Sequence, residues 1–341
     1  MDILLLFSPH FGILNAPLAS NGRIIRHQQK KRSEVMDIWK ELRDEGIDPS
    51  LLEEIQHFRA AHPVPPEAAA RIPAPQCLYY GKEVWESAAA ALLCGQHLLL
   101  AGPKATGKNV LAENLAAVFG RPAWDVSMYV NVDAAALIGA DTLQKGEVVF
   151  REGPICRCAR LGGFGVLDEV NMAKNEALAV LHATLDHRRV IDVPGYERIT
   201  LDDATRFIGT MNYGYAGTRE LNEALVSRFA VLDMPVISDT DLQKLLRRTF
   251  PTLSAKWAEQ FALLFRDLRQ KCDSGEISTK ALDLRGLLAA LRLMETGIPS
   301  GQALKLGIIN KAFETFERQL AADTVWARIP QDLSGSQLFG A

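Results

Sequence analysis

The chemistry in this chain starts at Gly102, Pro103, Lys104, Ala105, Thr106, Gly107, Lys108 and Asn109, two glycines and a lysine at the spacing G-x4-G-K. A loop of this kind turns backbone N–H groups inward. Where it opens a helix, the N-terminus adds positive potential, and the result is a concave seat for an anion. The terminal lysine would neutralise the β and γ phosphates of a nucleotide. An apolar run, His97 to Ala101, precedes the loop and a helical pattern begins at Lys108, the strand–loop–helix context such a seat requires. The spacing alone arises about 0.1 times by chance in a chain of 341 residues, so a glycine-rich turn with no ligand stays open as its plain alternative. Asn109 stands where Ser or Thr normally holds Mg2+. Its amide oxygen can also ligate the ion, with a different reach, so hydrolysis could be slowed or a water could fill the gap. Lys104 is unusual inside the loop and reads as a solvent-facing side chain within reach of a phosphate.

Three further signals follow in order. Phe164 to Glu169 is an apolar strand ending in two acids, in which Asp168 would hold Mg2+ through water and Glu169 would polarise an attacking water. Phe207 to Met211 is a second apolar strand, closed by Asn212, an amide suited to orient a water near the γ phosphate. Asn222 to Phe229 ends a helical stretch with Arg228, whose guanidinium a neighbouring subunit could present to the transferring phosphate. Each has an ordinary reading by itself: solvated acids at a strand end, a turn-capping amide, a cation complementing a helix dipole. Their fixed order is what makes them informative together.

The elements that would position these residues are legible from periodicity. Val35, Ile38, Trp39 and Leu42 predict an amphipathic helix over 33–45, and Asp48 with Pro49 opens a second, with Leu51, Leu52, Ile55 and Phe58 on its apolar side. Five of the 16 prolines lie between Pro63 and Pro75, a semi-rigid linker, which places a domain boundary near residue 76. Beyond it, a helix at 83–94, the run at 97–101, a helix from Lys108, and strands near 123–127, 164–168, 206–211 and 230–234 alternate as in a parallel sheet covered by helices. From about 238 the pattern is all helical.

Composition excludes several classes. With 48% hydrophobic and 23% charged residues the chain is neither disordered nor membrane-embedded, and no stretch reaches the run of about 18 apolar residues that a spanning helix needs. The net charge of −3 gives no overall attraction for nucleic acid. One basic run, Arg23 to Arg32, reads as a solvated tail, and the apolar start, Met1 to Ser20, lacks a basic leader and reads as an arm. Five cysteines, at 77, 94, 156, 158 and 272, fit a reducing cytoplasm. Cys156 and Cys158 have no second pair at zinc spacing, the seven histidines form no H-x3-H pattern, and no G-x-S-x-G elbow exists.

The ordered signals resemble the AAA+ ATPases, and in detail the MoxR group with its NorQ/CbbQ-like and GvpN-like members, over about residues 77–320. The specific stretches are Val149 to Pro154, Leu185 to Arg189, and Met211 to Leu221 around Asn212. The resemblance implies a P-loop NTPase core, three-layered αβα with a parallel sheet, over 77–237. A small helical lid would follow at 238–341, and an N-terminal extension of two helices and the proline-rich linker would precede it at 1–76. It further implies ATP with Mg2+, the ion held by Asp168 and Asn109. Asn212 would be sensor 1, Arg228 an arginine finger and Arg285 sensor 2, with Lys280 near a position where some relatives have arginine. The segment 134–154 corresponds to a helix-2 insert whose hairpin lines a ring pore, and Gly146 to Phe150 suits one of its strands. A hexameric ring, a protein client and a von Willebrand factor A-type partner are implied as well. The expectation is therefore a cytoplasmic ATPase that remodels a client. A nucleic-acid-directed motor and a nucleotide-gated binding module with little turnover stay open beside it, the first on the basic run and His187 to Arg189, the second on Asn109.

Overall fold

The computed structural model describes residues 36–193, 195–213 and 220–340. The arm at 1–20, the basic run at 23–32 and most of the loop after Asn212 lie outside the described residues.

Five parallel strands form the central sheet: β1 (His97–Gly102), β2 (Ala123–Ser127), β5 (Phe164–Asp168), β8 (Arg206–Asn212) and β9 (Phe229–Asp233), in the order β2-β5-β8-β1-β9. Each predicted strand is present, displaced by one residue at most. The strands read as nearly continuous apolar runs because both faces are covered. Leu98, Leu100, Phe164, Val166 and Ile208 point into one core, while Leu99, Leu167 and Phe207 point into the other, the two-residue alternation of a pleated strand. The first core continues into the C-terminal helices, through Leu242, Phe261, Leu287 and Leu304. Helices over Asp239–Thr249, Ala255–Asp273, Leu284–Glu295, Ser300–Gly307 and Thr315–Arg328 make up this all-helical region.

The first N-terminal helix is shorter than the 33–45 predicted. It spans Ile38–Asp44, because the Asp37 carboxylate accepts from the N–H groups of Trp39 and Lys40 and so starts the helix there. The second runs Pro49–Ala61 behind an Asp48 cap. Both pack on the first core through Ile38, Leu42, Leu52 and Ile55. Ion pairs of Glu41 with Arg248 and of Glu45 with Lys244 join them to the C-terminal helices. The proline-rich stretch contains a 3-10 helix, Pro66–Arg71, from which Arg71 sets its guanidinium 5.0 Å from the Trp124 ring centroid.

Two hairpins stand apart from the sheet. β3 (Gly139–Gln144) and β4 (Glu147–Glu152) join through Lys145 and Gly146, both at positive φ, the backbone of a two-residue hairpin turn. β6 (Val190–Asp192) pairs with β7 (Arg198–Thr200). Arg160 forms ion pairs with both Glu152 and Glu197, the Tyr196 hydroxyl donates to Asp141 at 2.7 Å, and the rings of Phe150 and Tyr196 lie 5.0 Å apart.

Asn114, wholly buried in the helix Lys108–Val118, ties this helix to the segment before it. Its Oδ1 accepts from Tyr79 N at 2.8 Å and its Nδ2 donates to Cys77 O at 2.9 Å. Replacing it leaves two buried backbone groups without partners, so Asn114→Ala is expected to lower unfolding free energy by about 2–4 kcal/mol in urea titrations. A loss below about 0.5 kcal/mol would show that water replaces the amide.

Candidate nucleotide site

The five strands all end on one side, and the chemically interesting residues gather there. Gly102 is in register with Asn212 across the β1–β8 pair, and Leu167 with Gly209 across β5–β8, so Asp168 lies level with Thr210. In an open parallel sheet, ligands are held outside these carboxyl ends.

The loop from Gly102 to Lys108 leaves β1 and turns through Ala105 (φ 66°) and Gly107 (φ 82°) before the helix begins. Close packing demands both glycines. A Cβ on Gly102 would sit 2.7 Å from Met234 O, and one on Gly107 would meet the Tyr79 ring at 3.0 Å in a left-handed conformation. Lys108 is buried, and its ammonium donates to Gly102 O (3.0 Å), Pro103 O (2.7 Å) and Thr106 Oγ1 (3.1 Å). The loop therefore closes around its own lysine with neutral oxygens. Burial pushes this ammonium down to about 8, against the pull of the Asp168 and Glu169 carboxylates, which favour the charge. Pro103, Lys104 and Asn109 are exposed and Thr106 is buried.

Thr210 organises the acids. Its hydroxyl donates to Asp168 Oδ1 at 2.6 Å and accepts from Glu169 N at 3.0 Å. Glu169 itself sits at φ 55°, ψ 48°, a strained left-handed conformation for a residue with a Cβ. That turn brings Glu169 Oε1 to within 3.2 Å of Asn212 Nδ2, while Asn171 Nδ2 donates to Asn212 O at 3.0 Å. Asp168, Glu169 and Asn212 are thus brought together at the end of the sheet where the loop leaves β1. A carboxylate and an amide oxygen are hard donors suited to Mg2+, so Asp168 and Asn109 fit the ion in kind.

Arg228 is not brought to this cluster. It precedes Phe229, which is in register with His97, the first residue of β1, whereas the loop begins at Gly102, the last. Five residues of strand separate them, about 16 Å along the sheet. Arg228 Nε donates to His182 O at 3.1 Å, Nη1 donates to Ala224 O, and Nη2 lies 3.7 Å from Asp186 Oδ2. Arg285 is exposed on the first turn of Leu284–Glu295, behind an Asp283 cap, and Lys280 lays its ammonium 5.3 Å from the Phe313 ring centroid.

Thr210, Asn114 and Asn171 escaped the sequence reading, since nothing in their spacing marks them. Tyr129 and Val130 also escaped it: they follow β2 on the site side of the sheet and are 55% and 38% exposed, unusual for apolar side chains so near a core. Leu143 and Val148, paired across the β3–β4 hairpin, are 72% and 64% exposed. Among the described residues no three metal-ligating side chains cluster, and no helix is long and apolar enough to cross a membrane.

Residues 97–229 match the family described as the AAA domain, dynein-related subfamily. The chain is 35% identical over 233 residues to the uncharacterized protein YojN of Bacillus subtilis, an alignment that spans 67% of this chain and 76% of that one. It is 32% identical over 250 residues to an uncharacterized protein of Staphylococcus haemolyticus, across 72% and 95% of the two chains. A RuvB mutant from Thermotoga maritima superposes with a TM-score of 0.42 at 19% identity, over 76% of this chain and 71% of that one, too remote a likeness to carry weight.

A phosphate seated at the Lys108 ammonium would make nucleotide binding sensitive to alkali. In the empty protein it loses its proton as pH rises through about 8, so ATP affinity is expected to weaken above that pH by up to about tenfold per unit in calorimetric titrations. Stability should move the other way. Between about 8 and the ordinary 10.5 the unfolded chain binds more protons than the folded one, so the empty protein gains stability as pH rises. An affinity that is flat from pH 7 to 9.5 would place the lysine outside the phosphate seat. Thr210→Val removes only the hydroxyl between the two acids, and is expected to lower turnover at least tenfold with ATP affinity little changed.

Proposed function

We propose, from the premise that this chain belongs to the AAA+ ATPases through a dynein-related AAA domain, that it is a MoxR-type ATPase that hydrolyses ATP between subunits of a ring to remodel a protein client. The observation that carries the reading is the separation of one catalytic set into two ends of a sheet. The phosphate loop, Asp168, Glu169 and Asn212 occupy one end, and Arg228 stands about 16 Å away at the other. Within one protomer that arginine cannot touch the phosphates bound at Lys108. In a ring, the end bearing Arg228 can face the loop of the next subunit, and six copies make the hexamer implied by the resemblance.

The roles follow from chemistry. Backbone N–H groups of the loop and the Lys108 ammonium bind the β and γ phosphates, for which Lys108 gives up its contacts to the loop carbonyls. Asp168 and Asn109 would hold Mg2+, which would supply charge neutralisation at the transferring phosphate. Glu169 accepts the proton of the attacking water, Asn212 fixes the orientation of both, and Arg228 of the adjacent subunit stabilises the transition state. Arg285 serves as the lid cation, since Lys280 is engaged over Phe313. A polypeptide client suits the exposed Tyr129, Val130, Leu143 and Val148, which present apolar surface. Of the cations that supported a nucleic-acid reading, Arg189 donates to the carbonyls of Asp202 and Thr205 and Arg188 pairs with Asp186, while the run Arg23 to Arg32 lies outside the described residues. Activation of a metal- or cofactor-bearing enzyme in the cytoplasm, with a von Willebrand factor A-type partner, belongs to the same proposal. Asn109 favours a second reading, nucleotide-gated binding with slow turnover.

Steady-state phosphate release separates the two. Glu169→Gln is expected to keep ATP and favour the oligomer while losing turnover. Arg228→Ala should bind ATP normally and hydrolyse it on the order of 10³-fold more slowly. Mixed with Lys108→Ala, whose protomers keep Arg228, it should regain activity that neither variant has alone. Rings shown to be mixed that stay inactive would remove Arg228 from the reaction in trans.

A further inference from the structure

Beside Arg228, at the end of the sheet away from the phosphate loop, a cavity is lined by Gln96, His97, Asp186, Arg189, Ser227 and Arg228. Several of its polar groups already have partners. His97 is buried and accepts at Nδ1 from Phe207 N at 2.9 Å, and burial, with Arg189 and Arg206 nearby, holds it down to about 3, so it is neutral. Arg189 Nη2 donates to Asp202 O at 2.9 Å and Thr205 O at 3.3 Å. At Asp186, which lines this cavity with Arg228, two guanidiniums, those of Arg188 and Arg228, stand around one carboxylate.

The two cations are held differently. Arg188 grips Asp186 side-on, with Nε 3.1 Å from each carboxylate oxygen and Nη2 2.6 Å from Oδ2, and its side chain is 49% exposed. Arg228 is pinned from behind by two neutral carbonyls, which direct it without reducing its charge. At 3.7 Å, Asp186 is beyond hydrogen-bond distance of Arg228, so it attracts that guanidinium without occupying its donors. Asp186 is 13% exposed and receives Arg188 N at 2.9 Å as well, which fixes it rigidly on the turn after the helix His182–Leu185. Within this cluster one negative charge stands against two positive. In phosphoryl transfer the charge spreads over three equatorial oxygens, more than a single guanidinium covers.

We propose that Asp186 is the positioning residue for a pair of guanidiniums, and that Arg188 is the second cation each protomer extends, beside Arg228, to the polyphosphate held in its neighbour's loop. This rests on the reading of Arg228 as acting in trans. The charge that develops on the transferring phosphoryl group outcompetes the single carboxylate for Arg188, so the side-on pair opens only as the transition state forms. Until then Asp186 holds Arg188 beside Arg228, which lowers the ordering cost at the moment of reaction.

The test uses the full chain in assembled rings at saturating Mg2+ and ATP, with Arg228→Ala measured beside every variant. Arg188→Ala is expected to lower kcat about tenfold while ATP affinity stays unchanged, because a charge-assisted hydrogen bond made only in the transition state is lost. Mixing Arg188→Ala with Lys108→Ala protomers should restore turnover, since the Lys108→Ala subunits still carry an intact arm. Asp186→Asn, which keeps the shape and loses the charge, should lower kcat in the wild-type background and have little further effect in an Arg188→Ala, Arg228→Ala double variant. Wild-type or higher kcat for Arg188→Ala, with Arg228→Ala impaired, would overturn the proposal and leave Arg188 as a surface counter-ion of Asp186. An unimpaired Arg228→Ala would instead bring down the trans reading itself. Should Asp186→Asn fail to fold, the half-exposed Arg188 decides alone.

Discussion

A single alignment governs this molecule: the register of β5, β8 and β1 sets Asp168 level with Thr210 and Gly102 level with Asn212 two residues further on, so that the four become neighbours though they are far apart in sequence. Parallel pairing makes that possible, because every strand runs the same way and every carboxyl end opens to one side. A one-residue slip of β8 would turn Thr210 to the opposite face, separate the hydroxyl from both acids, and move Phe207 out of its core at the same time. Apolar packing on two faces thus enforces the register that the polar contacts need. The acids need Thr210 to stay oriented, and Thr210 needs the core to hold its strand.

The loop adds a second constraint, on volume. Met234 O stands where a side chain on Gly102 would go, and the Tyr79 ring stands against Gly107. The strand leading into the helical C-terminal region and the segment leading in from the N-terminal helices therefore press on the same seven-residue turn from two sides.

Much of this was legible as pattern. The five strands, the helix after the loop and the helical C-terminal region show as runs and periods, and Lys108, Asp168, Glu169 and Asn212 stand at the ends of those runs. What stayed hidden depends on contacts between distant segments. Thr210 is an ordinary strand threonine until residues 42 positions away meet it, and Asn114 an ordinary helix asparagine until Tyr79 arrives. The start of the first helix was misplaced because the apolar stripe extends past the cap, and the Asp37 hydrogen bonds overrode it. Between Arg285 and Lys280 spacing could not choose. The contact of the Lys280 ammonium with the Phe313 ring is likewise one that no local pattern announces.

The double grip of Arg160 on Glu152 and Glu197 gives the two hairpins a common mechanical character. A lone two-stranded ribbon is pliant and marginal in water, and bends under a small load. Braced through Arg160, through the Tyr196–Asp141 bond and through the tilted contact of the Phe150 and Tyr196 rings, the pair behaves as one strut rooted in the helix Pro154–Arg160, whose next segment is β5 itself. A force on Leu143 or Val148 at the far end of that strut therefore arrives at the base of the strand that bears Asp168, with little of it dissipated in bending.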